Sequence, residues 1–306
     1  MAQVGGRSLF SSPEHYLKSS NAFSASIQQE GHNINCIEDH MRTLISDYDV
    51  GDRLEDHSPF CILSVGSGEG IPDLSFIEML SKIRREGVDK CRIFQRSIEP
   101  WKEKLEVFRA KGEDLPESIK SRADIEFEWL PVTYQEYVEQ KKKDDVKFDV
   151  VHFFHCLYYV GPETALEHCY EKELGARGII VCQIAAEGGA YARYGKVFSS
   201  EGIIPNPDVY YSSKEVADVA KKNGWKYVEC PGERATSNIT AIFDRSSVEG
   251  NFLLDFLTKW VNVGQVLSPE TLQKILHYWE NECFTDGRGR KLVNMESRTV
   301  IIFKGM

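Results

Sequence analysis

One segment constrains the fold more than any other. Phe60-Cys61-Ile62-Leu63-Ser64-Val65 runs without a charge into Gly66-Ser67-Gly68-Glu69-Gly70, and Ser97-Ile98-Glu99-Pro100 follows about thirty residues later. A buried strand, a glycine turn, a helix and a second strand ending in an acidic residue form the layout of a nucleotide-type cofactor site at the tips of a parallel sheet. The glycines let the backbone pass close to a ligand. The carboxylate can accept two hydrogen bonds from a ribose diol.

The middle of the chain repeats that alternation. Cys61–Val65 precedes an amphipathic stretch, Leu74–Arg84, with Phe76, Ile77, Leu80 and Ile83 on one face. Cys91–Ile98 precedes Trp101–Lys111, where Trp101, Leu105 and Phe108 recur at helical spacing. Ile125–Leu130 leads to a short helix from Thr133 to Gln140, with Thr133 as N-cap. Phe148–Phe154 is followed by a helix over Pro162–Leu174, and Ile179–Ile184 is a fifth strand. Such alternation requires a mainly parallel sheet with helices on both faces.

The last third reads differently. Ser213–Asn223 is helical in pattern, and Trp225–Cys230, Ala241–Phe243 and Thr299–Phe303 are the expected closing strands. Phe252–Glu282, rich in aromatics at helical period, reads as an inserted subdomain. Residues 8–50 are also helical in pattern and carry Phe10, Tyr16 and Phe23. The expected organisation is a helical cap over 1–50, a cofactor-binding α/β domain over 51–235, and a substrate-binding insertion with returning strands over 236–306. By analogy, the helical pieces form a lid over the strand tips.

Composition narrows the partners. A net charge of −10 over 306 residues argues against nucleic acid or an anionic membrane as partner. The eight cysteines include no CxxC pair, and Cys61, Cys91 and Cys182 fall in expected strands, so they read as reduced core thiols and no metal site is expected. No run reaches membrane-spanning length, and the first residues have no apolar leader core. A cytoplasmic monomer is expected.

The turn also selects among cofactors. Gly66-x-Gly68-x-Gly70 departs from G-x-G-x-x-G, and it carries Glu69 where a pyrophosphate would be repelled. A cationic sulfonium cofactor without phosphate tolerates that anion, so S-adenosyl-L-methionine fits better than NAD.

At this point the chain resembles class I S-adenosylmethionine-dependent methyltransferases, through Leu63-Ser64-Val65-Gly66-x-Gly68-x-Gly70, Ile98-Glu99-Pro100 and Phe148-Asp149-Val150-Val151. More narrowly it resembles the histamine N-methyltransferases. That likeness rests on Arg7-Ser8-Leu9-Phe10-Ser11, Leu157-Tyr158-Tyr159-Val160, Arg193-Tyr194-Gly195 and Asp255-Phe256-Leu257-Thr258. The resemblance implies a Rossmann-like α/β fold with a seven-stranded, mostly parallel sheet and a small amine as substrate.

For the cofactor it implies Gly66, Ser67 and Gly68 at the turn, Glu99 on the ribose hydroxyls, Thr133 and Tyr134 near the adenine, and Phe154 packed on the cofactor. Capping explains Thr133 equally well, and plain core packing explains Phe154 equally well. His155 stands where the family has a ligand-contacting glutamine and is the candidate catalytic base. Tyr158 and Tyr159 match substrate-pocket tyrosines. Phe10, Tyr16, Tyr191, Phe198 and Phe256 would complete an aromatic cage around a protonated amine, although Phe256 suits a helical core as well.

Two departures bear on the amine. The family's pairing glutamate falls on Glu30, on Asn33 or on neither, and its C-terminal asparagine falls near Asn294 or Glu296. Transfer would be a direct SN2 displacement governed by alignment. A neutral imidazole nitrogen needs no base, whereas an alkylamine must first lose a proton. Other small acceptors (an imidazole dipeptide, a polyamine, a phenol, an aromatic amine) remain alternatives, as does a catalytically silent cofactor-binding relative.

Overall fold

The computed structural model describes residues 7–28, 38, 41, 59–83, 90–140, 146–206 and 210–305. Ten strands are hydrogen-bonded there: β1 (Ile27–Gln28), β2 (Phe60–Val65), β3 (Cys91–Ile98), β4 (Ala123–Leu130), β5 (Phe148–Phe154), β6 (Leu174–Ala185), β7 (Lys226–Glu229), β8 (Glu233–Asn238), β9 (Cys283–Thr285) and β10 (Lys291–Lys304). The chain divides into two interleaved units rather than three consecutive segments. One comprises 33–184, 213–231 and 298–306; the other comprises 1–32, 185–212 and 232–297.

The first unit is a Rossmann-like α/β body. Its seven strands run β4-β3-β2-β5-β6-β10-β7, with β10 contributing its C-terminal part. The five strands β2 to β6 pair in parallel, and β7 is antiparallel to β10. The sheet holds ten strands rather than the seven expected: the two-residue β1, the polar β8 and the three-residue β9 carry too few apolar residues to read as strands.

Burial explains the strand sequences. In β2 every residue but Cys61 is buried, and in β5 every residue before Phe154 is buried, as in sheets covered on both faces. Helix Ile71–Ile83 buries Phe76, Ile77 and Leu80, and helix Lys102–Glu113 buries Leu105 and Phe108. On the last strand of the order, β4, Phe127 and Trp129 stack at 4.7 Å, with Phe108 edge-on to both. The expected cap holds at Thr133. Its Oγ1 accepts the Glu136 amide at 3.1 Å, and the Glu136 carboxylate accepts the Thr133 amide at 2.7 Å, forming a capping box.

The chain crosses from β2 to β3 on one side, while β5 flanks β2 on the other. The carboxyl ends of β2 and β5 are therefore the topological switch point, where such sheets leave a crevice.

The second unit gathers helices Pro13–Ser26, Ala190–Ser200, Val248–Thr258 and Pro269–Glu282 with an antiparallel set of β1, β8, β9 and the start of β10. Its core holds Tyr194, Leu253, Leu254, Leu257, Ile275 and Trp279. One expectation fails here. Ala241–Phe243 is not a strand but part of a 3-10 turn, Thr240–Phe243. Asn238 Oδ1 accepts both the amide and the hydroxyl of Thr240, and the Ile242 amide reaches back to the Ile239 carbonyl at 3.1 Å. An Asx turn thus overrides three apolar residues too few to show a period.

Candidate functional site

The glycine turn lies at the switch point in the α/β unit. Gly66, Gly68 and Gly70 all have positive φ (68°, 55° and 74°), which L side chains rarely adopt. Their surroundings differ. A Cβ on Gly66 would stand 2.5 Å from the Cys156 Cβ, and one on Gly70 would stand 1.9 Å from the Phe108 ring. A Cβ on Gly68 would meet nothing within 4 Å. Gly66 and Gly70 are explained by protein packing, whereas Gly68 keeps an open backbone face.

Glu99 closes the turn. The Gly68 amide donates to its Oε2 at 2.8 Å, and the Trp101 amide donates to Oε1 at 3.0 Å. The side chain is buried, and burial pushes its carboxyl up against the opposing pull of those amides. Each oxygen retains a lone pair for a further donor. Ser67 is buried beside it with an Oγ that has no hydrogen-bond partner.

Beneath the turn Asp73, in the first turn of helix Ile71–Ile83, is fully enclosed and accepts from Gln95 Nε2 at 2.8 Å. Burial pushes its carboxyl up to about 7. His152 Nε2 lies 3.5 Å away, and burial pulls that imidazole down to about 3, so it is neutral. Glu69 and Asp73 thus place two acidic side chains at the helix start where a pyrophosphate would sit. Lys111 Nζ, which donates to the Glu69 carbonyl at 3.0 Å, stands 3.9 Å from the Glu69 carboxylate. An open glycine face, an orphaned buried hydroxyl and a buried carboxylate with free lone pairs fit an adenosyl cofactor.

After β5 the chain turns sharply. His155 is exposed with φ 54°, and its amide donates to the Gln183 carbonyl at 2.8 Å. Cys156 is buried, with Sγ donating to the Val65 carbonyl at 2.8 Å, and burial pushes its thiol up. Tyr158 and Tyr159 follow in the short helix Leu157–Val160, edge to face at 6.3 Å, with Tyr159 40% exposed. Phe154 stacks on His152 at 4.3 Å and meets Phe76 edge-on, as a core ring does. Tyr134 is also a core ring: its hydroxyl donates to the Ala165 carbonyl at 3.3 Å. Gly66, Ser67, Gly68, Glu99, His155, Tyr158 and Tyr159 thus follow the carboxyl ends of adjacent parallel strands.

The aromatic residues assemble in the other unit. Phe10 lies 5.9 Å from Tyr16, Tyr16 lies 6.5 Å from Phe256, and Phe23 stacks on Phe256 at 4.4 Å. A cation already stands among them: Lys259 Nζ is 3.5 Å from the Phe256 centroid, 5.3 Å from Tyr191 and 5.9 Å from Phe10. Phe198 is core, packed on Tyr194, which contacts Tyr210 and through it Tyr191. Asn294 is exposed on β10 opposite Thr236, and the half-buried Glu296 points its carboxylate toward Gly232. Glu30 and Asn33 lie outside the described residues.

Sequence reasoning missed Lys259 and Asp73. A lysine after a helix reads as solvated, yet Lys259 is the one charge between Phe256 and Val263, which was the available signal. Asp73 directly precedes the amphipathic stretch from Leu74, and nothing in its sequence neighbours announces burial. Among the described residues no group of three or more His, Cys, Asp or Glu side chains is placed to hold a metal, and no helix is long and apolar enough to cross a membrane.

No family model matches the sequence, and no curated protein matches it. Solved structures similar to the chain include the plantazolicin methyltransferase BamL in complex with a triazolic desmethylPZN analog and SAH, at 14% identity, 97% of this chain, 93% of that chain and TM-score 0.46. Another is the YcgJ protein of Bacillus subtilis, at 12% identity, 85% of this chain, 99% of that chain and TM-score 0.47. A third is a cyclopropane-fatty-acyl-phospholipid synthase-like protein of Lactobacillus casei, at 14% identity, 94% of this chain, 98% of that chain and TM-score 0.47.

Proposed function

We propose that the chain is an S-adenosylmethionine-dependent N-methyltransferase of a small acceptor, a histamine-like or related imidazole compound. The observation that carries the reading is the open, positive-φ face of Gly68 held against buried Glu99. Together they offer close backbone approach and a diol acceptor. The motif resemblance to histamine N-methyltransferases supports the acceptor class.

S-adenosylmethionine, when bound, supplies a methyl group on a sulfonium that a nitrogen lone pair can displace directly. Glu99 would hold the ribose hydroxyls, and the Gly68 turn would fix the register of the cofactor. Tyr158 and Tyr159 would orient the acceptor ring. His155 would take the proton of an alkylamine, and an imidazole nitrogen would need no such base.

The test is methyl transfer from S-adenosylmethionine across a panel of small acceptors, read as S-adenosylhomocysteine release. The panel holds histamine, carnosine, polyamines, phenylethylamines and an indoleamine. Turnover of an imidazole compound is expected. Cofactor binding with no turnover on any member would move the reading to a silent binder or a larger substrate.

A further inference from the structure

Lys259 caps helix Val248–Thr258 in the left-handed region, φ 59°, and is 2% exposed. Glycine or asparagine suits that backbone position, and an ammonium is costly to enclose. A carboxylate, Asp255, stands one helical turn earlier in the sequence. That carboxylate is engaged elsewhere: Oδ2 meets His15 Nε2 at 2.7 Å and accepts the Asn262 amide, and Oδ1 accepts the Val263 amide. Among the described residues no carboxylate or other acceptor pairs with Lys259 Nζ. Desolvation alone acts on the group and pulls it down to about 7. The half-buried rings of Phe256, Tyr191 and Phe10 face it.

A strained, buried lysine with three donors and no acceptor is arranged for an acceptor that arrives from outside. The aromatic cage marked in the sequence for a substrate cation contains the chain's own cation, and a second would be repelled. We infer that this cage binds a small ring compound bearing a carboxylate, the carboxylate paired with Lys259 Nζ and the flat ring against Phe10 and Tyr16. The inference goes beyond the methyltransferase reading and does not depend on it: the cage would select ring compounds with an acidic tail over those with an ammonium tail. An arriving carboxylate would also favour the charged lysine, so binding would draw in a proton.

Calorimetric titration of the full chain tests this, with and without S-adenosylhomocysteine, using two pairs that share a ring and differ in charge. The pairs are imidazole-4-acetate against histamine and phenylacetate against phenethylamine. The acid of at least one pair is expected to bind roughly ten-fold or more tighter than its amine. Lys259→Met should erase that preference and Lys259→Arg should keep it; Lys259→Gln replaces the methionine variant if that one does not fold. Equal binding, a preference for the amines, no acid binding at millimolar concentration, or a preference unchanged without the lysine would each overturn the inference. Acid preference without S-adenosylhomocysteine binding would instead remove the methyltransferase reading and leave the anion site standing.

Discussion

The backbone amide of Gly68 donates to Glu99 Oε2 across 2.8 Å. That bond ties the turn after β2 to the end of β3, so the open glycine face and the Glu99 carboxylate are fixed relative to each other. Preorganisation of this kind lowers the ordering cost of binding a cofactor.

The three glycines of the turn should separate in their responses. Gly70→Ala drives a Cβ to 1.9 Å from the Phe108 ring at φ 74° and should unfold the α/β unit or cost about 3 kcal/mol or more. Gly68→Ala meets open space and should cost only about 1–2 kcal/mol from its φ of 55°. It should nonetheless weaken S-adenosylhomocysteine binding roughly ten-fold or more, because the methyl occupies the ligand's approach. Thermal melts and ligand titration of the two variants check this; equal destabilisation with intact binding by Gly68→Ala would contradict it.

Asp73 makes stability depend on pH. Its folded value of about 7 lies above the unfolded value of about 3.9. Between these the folded chain holds the extra proton, so stability contributed by this group falls as pH rises and is lost above about pH 7. Asp73→Asn removes the charge while keeping an acceptor for Gln95. It should stabilise the protein by roughly 1–3 kcal/mol at about pH 8 and leave it nearly unchanged at about pH 4. Urea unfolding of both proteins at the two pH values measures the difference.

Lys259 acts with the opposite sign. Its folded value of about 7 lies below the unfolded value of about 10.4, so its penalty is full below about pH 7 and fades as pH rises to about 10. The titratable neighbours in this unit are Asp255 and His15, paired with each other, with Tyr16, Tyr191 and Tyr210 in the ring cluster. Lys259→Met should raise stability by roughly 1–3 kcal/mol at about pH 6, with a smaller gain at about pH 9. A loss of stability at pH 6 would show that the lysine is a structural prop.

His155→Asn should keep the fold, since asparagine suits the left-handed backbone at φ 54°. If the ring is the base, kcat/KM on an alkylamine should fall roughly 100-fold while that on an imidazole nitrogen changes less than about three-fold. An equal loss on both acceptors would assign His155 to positioning instead.

Much of the α/β unit was legible because its signals are local. β2 and β5 are buried runs closed by turn residues, and Thr133 is followed by Glu136 at capping-box spacing. The position of Glu99 directly after a strand was legible too. The interleaving of the units was not: nothing local tells that 185–212 and 232–297 join the N-terminal helix. The aromatic cage was half legible. Ring residues mark themselves, but the lysine among them became visible only once burial and the commitments of Asp255 were known. Phe198 and Tyr134 show the converse, aromatics whose spacing fits a pocket and whose packing is core.

The central claim is that Gly68 and Glu99 hold an adenosyl cofactor without phosphates. Calorimetric titration of S-adenosylhomocysteine into wild type and Glu99→Gln, with NAD titrated in parallel, tests it most directly. The account predicts binding of S-adenosylhomocysteine by wild type, no NAD binding, and a loss of roughly 100-fold in Glu99→Gln, as hydrogen bonds to a charged acceptor imply. No S-adenosylhomocysteine binding by the wild type, or NAD binding that survives the substitution, would contradict it.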